Sequence, residues 1–156
     1  MKELISARED AQPLVRWSGG ELRRYRDEVF VLRPMPDAEA AANGLLLRPG
    51  EWLPLEPSMG AIRLCEDGAG GIDPALAVAG LRVRYREGGE KIRIGGNTRK
   101  LKKLMQEAGL LPWMRERIPL LHAGEDLVAV GDLWVSSAHR SVPGFVVEWR
   151  DRPAIS

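Results

Sequence analysis

Apolar and basic residues alternate strictly from Leu81 to Arg86. Leu81, Val83 and Tyr85 take every second position, and an arginine follows each of them. Successive side chains of a β-strand point to opposite faces of a sheet. The alternation therefore predicts a strand with one apolar face and one arginine face.

The residues that follow the Glu87-Gly88-Gly89 segment repeat this pattern, because Ile92 and Ile94 alternate with Lys91 and Arg93. A glycine-rich turn between two alternating segments predicts that they pair as a two-stranded ribbon. Like charges that face each other destabilise such a ribbon, and a bound anion would relieve that cost. The cations predicted for the solvent face are Arg82, Arg84, Arg86, Lys91 and Arg93.

A basic amphipathic helix is predicted after the ribbon. Its apolar stripe has the i, i+3, i+4, i+7 spacing of one helix face and consists of Leu101, Leu104, Met105 and Ala108. Asn97 or Thr98 would cap the start of this helix, and Gly109 would end it.

Four cations fall in the first turns predicted for this helix, where the helix dipole disfavours positive charge. A glycine pair, Gly95-Gly96, precedes them. Free backbone amides at the start of a helix bind anions, so we expect phosphate oxygens near this end. The alternative is a solvated basic helix face. The four cations are Arg99, Lys100, Lys102 and Lys103.

The first third of the chain predicts a helix followed by strands. Apolar residues from Leu4 to Ala11 have helical spacing. Val15 to Trp17 and Leu22 to Leu32 favour extended structure around a Ser-Gly-Gly turn, which predicts a hairpin. A loop with a short helix around Ala38 to Ala42 should follow, with further strand near Trp52 and Ile62.

The segment from Glu66 to Gly80 is rich in glycine and has few large apolar residues, which is typical of a linker. We therefore predict two small domains, over residues 1–66 and 81–156, joined by a linker over residues 67–80. The predicted fold class is α+β and β-rich. The second domain would contain the basic ribbon, the basic helix and further strands.

Beyond the helix, Pro112-Trp113 predicts a corner, and four more strands are expected. Trp113 is a typical interior anchor, with stacking on a nucleotide as the weaker alternative. Arg115 and Arg117 flank the corner and could extend a basic surface. The strands are expected at residues 119–122, 127–130, 133–135 and 145–149, with turns at Gly124 and Gly131.

Charge is concentrated in one segment of a nearly neutral chain. Nine of the twenty-two residues from Arg82 to Lys103 are basic and two are acidic, giving +7, whereas the chain total is +1 and the remainder therefore sums to −6. Such a local excess predicts a polyanionic partner. The expected phosphate contacts are Arg82, Arg84, Arg86, Lys91, Arg93, Arg99, Lys100, Lys102 and Lys103, with Arg115 and Arg117 as further candidates.

Composition limits the classes of protein to which the chain can belong. The 156 residues, 44% of them hydrophobic, can build a core, and no apolar run reaches the length of a membrane span. The single Cys65 cannot form an internal disulfide, which fits a cytoplasmic protein, and the two histidines are too few for a zinc cluster with it. We predict no metal site in the chain. No nucleophile with a base or phosphate loop is recognisable, so we predict no catalytic residues.

Several short segments are distinctive when they are taken together. They are Ala-Arg-Glu-Asp-Ala at 7–11, Leu-Arg-Arg-Tyr at 22–25, Arg-Val-Arg-Tyr-Arg at 82–86, Leu-Lys-Lys-Leu-Met-Gln-Glu at 101–107, Leu-Pro-Trp-Met-Arg at 111–115 and Ile-Pro-Leu-Leu at 118–121. With these segments the chain resembles one family, the bacterial tRNA(Ile)-lysidine synthetases, in their C-terminal half. The resemblance extends, with gaps, from about Ala7 to Val135.

The resemblance implies an ATP-dependent ligase that joins lysine to the wobble cytidine of tRNA(Ile) with a CAU anticodon. Its chemistry would reside in an N-terminal PP-loop domain that binds ATP with magnesium, and the present chain would be a fragment that binds the tRNA body, at the acceptor stem by analogy. Ser18-Gly19-Gly20 is superficially similar to the PP-loop but lacks its Asp-Ser pair. The rival interpretations are a module whose basic face docks an acidic protein, and a small enzyme with a scattered site.

Overall fold

A computed structural model describes residues 14–17, 20–25, 28–32 and 42–156. The helix predicted within residues 4–11 lies outside the described residues. So does the predicted short helix, apart from Ala42, which is in a turn.

The first described strands form a three-stranded antiparallel sheet in the order β1 (Leu14–Trp17), β2 (Gly20–Tyr25) and β3 (Glu28–Leu32). Trp17 lies opposite Gly20, so the predicted hairpin is confirmed. The single long strand predicted up to Leu32 is wrong, because Tyr25 lies opposite Glu28 and the chain reverses between them.

A five-stranded antiparallel sheet, called the first large sheet, contains the arginine-rich strand predicted from the alternation. Leu81 and Val83 in this strand are fully buried, whereas Arg82 and Arg84 are exposed. The predicted two-faced strand is thereby confirmed. The sheet order is β13 (Trp134–Val135), β12 (Asp126–Val130), β11 (Leu120–Ala123), β8 (Leu81–Arg84) and β4 (Leu46–Leu47).

A second large sheet, also five-stranded and antiparallel, combines strands from the middle and the end of the chain. Its longest pairing joins Ala61–Asp67 and Gly144–Arg150 along their whole length, from Gly144 opposite Asp67 to Arg150 opposite Ala61. The sheet order is β14 (Arg140–Ser141), β7 (Gly71–Ile72), β15 (Gly144–Arg150), β6 (Ala61–Asp67) and β5 (Leu53–Pro54).

The remaining described elements are a two-stranded ribbon and short helices. The ribbon consists of β9 (Lys91–Ile94) and β10 (Asn97–Lys100), and the helices are α1 (Pro74–Ala79), α2 (Leu101–Glu107) and α3 (Pro112–Arg115), with a 3-10 turn at Ser137–His139. Strands therefore dominate, and the predicted β-rich α+β class is confirmed. None of the described helices is long and apolar enough to cross a membrane.

The apolar core draws on both large sheets and on the helices. Ile62, Ile72 and Val128 are fully buried in strands, and Leu101 and Met105 are fully buried in α2. These side chains belong to one continuous cluster. Removing each of them from water contributes about 1.5–3 kcal/mol to folding.

The segment predicted as a linker, residues 67–80, contains buried residues and helix α1 and is part of this packed structure. Ile72 and Ala77 are fully buried. The Asp73 carboxylate caps α1 by accepting a hydrogen bond from the Ala75 amide at 2.9 Å, and Pro74 occupies the first turn. Glycines in this segment permit a turn at Gly70, where φ is positive, and the close approach of strand β15 at Gly71.

The two large sheets include strands from both sides of the predicted domain boundary. Strand β4 pairs with β8, and β6 pairs with β15. Residues 67–80 therefore do not separate two independently paired sets of strands within residues 42–156. The division of the whole chain into two domains remains a prediction.

Gly71 provides a test of the structural role of this segment. A methyl group on its Cα would lie 2.2 Å from the Phe145 carbonyl oxygen. We expect Gly71→Ala to lower the free energy of unfolding by about 2–3 kcal/mol, because the backbone of β15 cannot move away without breaking its pairing. Urea unfolding measures this change.

Gly68→Ala is the matched control, because open space surrounds the position and its φ is not positive. This substitution should leave stability within about 0.5 kcal/mol or raise it slightly. Equal unfolding midpoints for the two variants would mean that residues 67–80 do not pack as described.

Candidate nucleic-acid interface

The basic ribbon is formed by a different pair of strands from the predicted pair. Strand β9 pairs with β10, and β8 pairs with β11 and β4. The prediction that β8 and β9 form a hairpin is therefore wrong. Alternation identifies the face that a strand buries, but the same alternation is compatible with many partner strands.

The glycine pair before the helix is the turn of the ribbon. Gly95 and Gly96 have φ values of +58° and +86°, which are the positive values that a tight two-residue hairpin turn requires. Asn97 and Thr98 consequently lie in β10, and neither of them caps a helix. The predicted glycine-rich start of the helix is therefore wrong, whereas phosphate binding near this end stays a prediction.

Helix α2 begins at Leu101, after Lys100 in extended backbone without a side-chain cap. Leu101, Leu104 and Met105 are buried as the stripe predicted, whereas Ala108 is exposed and caps the C-terminal end. Gly109, at φ +71°, follows as the predicted terminator.

The outer face of the ribbon carries most of its charge. Lys91 lies opposite Lys100, and Arg93 lies opposite Thr98. Cross-strand partners share a face, so these four side chains project from the ribbon together. Lys91, Arg93 and Lys100 are all exposed, so the ribbon presents three cations on this face.

Arg99 lies on the opposite face of the ribbon, across from buried Ile92. Its Nη2 donates to Oε2 of Glu107 in α2 at 2.6 Å. This ion pair neutralises one of the predicted contact residues and joins the ribbon to the helix. Lys102 and Lys103 are exposed on the helix surface.

The arginines of β8 and its following loop differ in exposure. Arg82 donates to the Gly44 carbonyl oxygen and remains exposed, Arg84 is exposed, and Arg86 is half-buried. The seven exposed cations of the charged segment are called the basic surface below. They are Arg82, Arg84, Lys91, Arg93, Lys100, Lys102 and Lys103.

An acidic residue of the charged segment holds the loop between β8 and β9. Oε2 of Glu90 accepts a hydrogen bond from the Glu87 amide at 2.8 Å and another from the Gly88 amide at 3.2 Å. The Glu90 carbonyl oxygen accepts from the Leu101 amide at 3.0 Å. Glu90 therefore connects the loop to the start of α2.

A cleft of about 250 Å³ lies between the ribbon and the 3-10 turn. His139 lines it, and its Nε2 is 3.6 Å from Oδ2 of Asp126. Sequence reasoning missed this pair because the two residues are thirteen positions apart and belong to no motif. The lining residues are Lys91, Ile92, Arg93, Thr98, Asp126, Leu127, Ser136, Ala138 and His139.

The arginines beside the predicted corner are buried, with exposed fractions of 9% for Arg115 and 7% for Arg117. Arg115 Nε donates to the Leu110 carbonyl oxygen at 3.0 Å, and Arg117 Nη1 donates to Oε1 of Glu56 at 2.8 Å. Neither side chain extends the basic surface. Trp113 is buried in the core, as the interior-anchor interpretation predicted.

A separate cationic cluster lies on the second large sheet. The guanidinium carbon atoms of Arg63 and Arg150 lie 4.5 Å and 4.4 Å from the centroid of the Trp52 ring. Arg63 also pairs with Glu148 at 3.0 Å. No sequence motif marked this cluster, because three distant segments form it.

His122 lies in β11 beside Arg84. Partial burial lowers the pKa of this imidazole, and the positive charge of Arg84 lowers it further. A hydrogen bond with the Leu120 backbone and the carboxylates of Glu90 and Glu125 raise the pKa without reversing the shift. The neutral form of His122 therefore fits the folded protein better than the charged form.

The buried Arg117–Glu56 pair provides a stability test. We expect Arg117→Met to lower the free energy of unfolding by about 3–5 kcal/mol, because it leaves a buried carboxylate without its cation. Lys102→Met is the control, since Lys102 is exposed, and it should cost less than about 1 kcal/mol. Urea denaturation that gives the same loss for both variants would contradict a structural role for Arg117.

A pH titration tests His122. Its pKa is lower in the folded state than the ordinary value of 6.5, so the unfolded chain takes up this proton first as pH falls. The stability contribution is thus complete above about pH 6.5 and decreases below it. His122→Gln should show a smaller decrease in melting temperature between about pH 7.5 and 5.5 than the unsubstituted chain. An identical decrease would refute the assignment.

Comparison with known proteins places these features in a family. The family model of the TilS substrate C-terminal domain matches residues 81–149 of the sequence. The family model of the TilS substrate binding domain matches residues 1–30. The first match contains the whole basic surface.

Relatives named tRNA(Ile)-lysidine synthase align with nearly the whole chain. The protein of Alkalilimnicola ehrlichii is 34% identical over 154 residues, covering 93% of this chain and 33% of the relative. The Yersinia pseudotuberculosis protein is 32% identical, with 97% and 36% covered, and the Xylella fastidiosa protein is 35% identical, with 84% and 30% covered. The chain thus spans about a third of the length of these relatives. It belongs to the tRNA(Ile)-lysidine synthase family and corresponds to the C-terminal region that carries these two domains.

Proposed function

We propose that this chain is the tRNA-binding part of a tRNA(Ile)-lysidine synthase, and that its basic surface contacts the phosphates of the tRNA body. The observation that carries the proposal is the exposure of seven cations from one short segment. We propose tRNA(Ile) as the RNA because the relatives are named tRNA(Ile)-lysidine synthase.

The electrostatics of the segment support binding to a polyanion. Two nearby carboxylates that could offset the cations already have structural partners: Glu90 holds the loop, and Glu107 pairs with Arg99. None of the seven exposed cations forms an ion pair with a described residue. Contacts between cations and phosphates release counterions, so this surface should bind RNA strongly at low salt.

The form of the surface suits a double-stranded RNA stem. The major groove of A-form RNA is too deep and narrow for side chains to read, and recognition relies on phosphates and 2′-hydroxyls. The ribbon presents its cations from paired strands, and Ile92 beneath them is buried. Such a surface can position a stem without identifying its bases. The acceptor stem is the proposed target, by analogy with the family.

The chemistry of the proposed parent enzyme lies elsewhere. A PP-loop domain N-terminal to this region would bind ATP with magnesium and join lysine to the wobble cytidine of the CAU anticodon. We propose the cytoplasm as the location, consistent with one unpaired cysteine and a tRNA substrate. The role of the present chain is then to hold the tRNA while that domain acts.

The alternative of docking to an acidic protein has less support. A protein-docking face is expected to have apolar residues at its centre. Among the described residues, the large apolar side chains that are most exposed are Leu45, Leu46, Val78 and Val142, and Leu46 lies opposite Arg82 on the edge strand β4. The basic surface instead consists of charged side chains, as binding to a nucleic acid requires.

Binding of tRNA across stepped salt concentrations tests the proposal. Tight binding at low salt should weaken steeply as salt rises. Arg84→Glu and Lys103→Glu should each weaken binding about tenfold at low salt and reduce the salt slope by about one, and the double variant should lose most binding. Preference for tRNA(Ile) with a CAU anticodon over an unrelated tRNA would place discrimination in this region.

Arg150→Glu is the matched control, because it makes the same change in net charge on the second large sheet. This variant should bind nearly as well as the unsubstituted chain once its folding is verified by thermal unfolding. Absence of tRNA binding at low salt would refute the proposal and favour the protein-docking module. An equal loss in all three single variants would show a general charge effect without a defined surface.

A further inference from the structure

The cleft beside the ribbon differs in chemistry from the rest of the basic surface. Lys91 and Arg93 enter it from the ribbon, and Asp126 enters it from β12. Two hydroxyl side chains, Thr98 and Ser136, also line it. The cleft therefore combines cations, hydroxyls and a carboxylate, whereas a site for phosphate alone needs only donors.

The carboxylate of Asp126 limits what the cleft can hold. A phosphate placed against this group would be repelled, since both are negative. A ligand hydroxyl, in contrast, can donate a hydrogen bond to a carboxylate, and bonds to charged acceptors are the stronger ones. His139, 3.6 Å from Asp126, helps to keep that side chain at the cleft.

The lining of the cleft favours a polar backbone unit over a base enclosed between apolar surfaces. The cleft has a volume of about 250 Å³ and is lined largely by polar and charged residues. Its apolar residues are Ile92, Leu127 and Ala138, without an aromatic ring apart from the His139 imidazole. The space suits one sugar–phosphate unit of a backbone.

The cleft is held in shape by contacts of the 3-10 turn. The Gly96 amide at the tip of the ribbon donates to Oγ of Ser137 at 3.4 Å. The Ser136 amide donates to the Val128 carbonyl oxygen at 2.7 Å, and the His139 carbonyl oxygen accepts from the Asp73 amide at 2.8 Å. A ligand therefore meets preformed walls, which lowers the entropic cost of binding.

We infer that this cleft binds one ribose–phosphate unit of RNA and that Asp126 accepts a hydrogen bond from its 2′-hydroxyl. Lys91 and Arg93 contact the adjoining phosphate, and Thr98 supplies a second polar contact to the ribose. The inference rests on the proposed function and adds to it the group that distinguishes RNA from DNA. The 2′-hydroxyl is the part of the backbone by which a protein makes that distinction.

The test compares two short stems of the same sequence, one of ordinary RNA and one with fluorine in place of every 2′-hydroxyl. The fluorinated stem retains the phosphates but cannot donate the hydrogen bond. The chain should bind ordinary RNA about three- to tenfold more tightly than the fluorinated stem, as expected for the loss of one or two hydrogen bonds. Asp126→Asn and Thr98→Val should each bring this ratio closer to one.

Glu125→Gln is the matched control, because it removes the same charge from the exposed neighbour of Asp126, which does not line the cleft. It should retain the unsubstituted ratio. Thermal unfolding verifies that all variants are folded, and Thr98, which is exposed, provides a variant that leaves the Asp126–His139 pair intact.

The outcomes separate the two proposals. Equal binding of both stems by the unsubstituted chain, or an unchanged ratio in both cleft variants, would overturn the ribose assignment and leave the tRNA-binding proposal standing. Failure to bind either stem, together with failure to bind tRNA, would overturn both.

Discussion

The burial of Leu81 and Val83 in the first large sheet is the constraint on which the charged region depends. Strand β8 lies between β4 and β11, so both of its edges are already paired. Burying these two side chains contributes several kcal/mol and forces Arg82 and Arg84 to the opposite, exposed side. Strand β8 thus offers no free edge to the following basic strand, β9, which pairs with β10 and forms the ribbon.

The ribbon and helix α2 hold positive charges close together, although this arrangement is locally destabilising. Lys91 lies directly opposite Lys100, an arrangement that destabilises a pair of strands. The apolar residues beneath, Ile92 and Leu101, provide the compensating burial. Two nearby acidic residues have structural roles, since Glu90 holds the loop before the ribbon and Glu107 pairs with Arg99, and seven cations of the segment remain exposed. This distribution is what supports the RNA-binding role proposed for the chain.

Much of the local structure could be predicted. The alternation at β8, the buried stripe of α2 and the strands after the corner are all present. The errors concern partners and boundaries. The segment at residues 67–80 has the composition of a linker, yet Gly71 is required because β15 passes against it. Arg117 has the charge of a surface residue, but Glu56, sixty-one positions away, makes its burial possible.

The sequence by itself determined which face of each strand is apolar, where the α2 stripe lies, how the charge is segregated and which family the chain resembles. These properties depend on side-chain period and composition, which are local. Tertiary structure decided that β9 pairs with β10, that Arg115 and Arg117 are buried, and that Asp126 and His139 meet the ribbon at a cleft. Those outcomes depend on which distant segments pack into one core. The free energy of that packing comes from contacts throughout the folded chain, and no local sequence pattern encodes it.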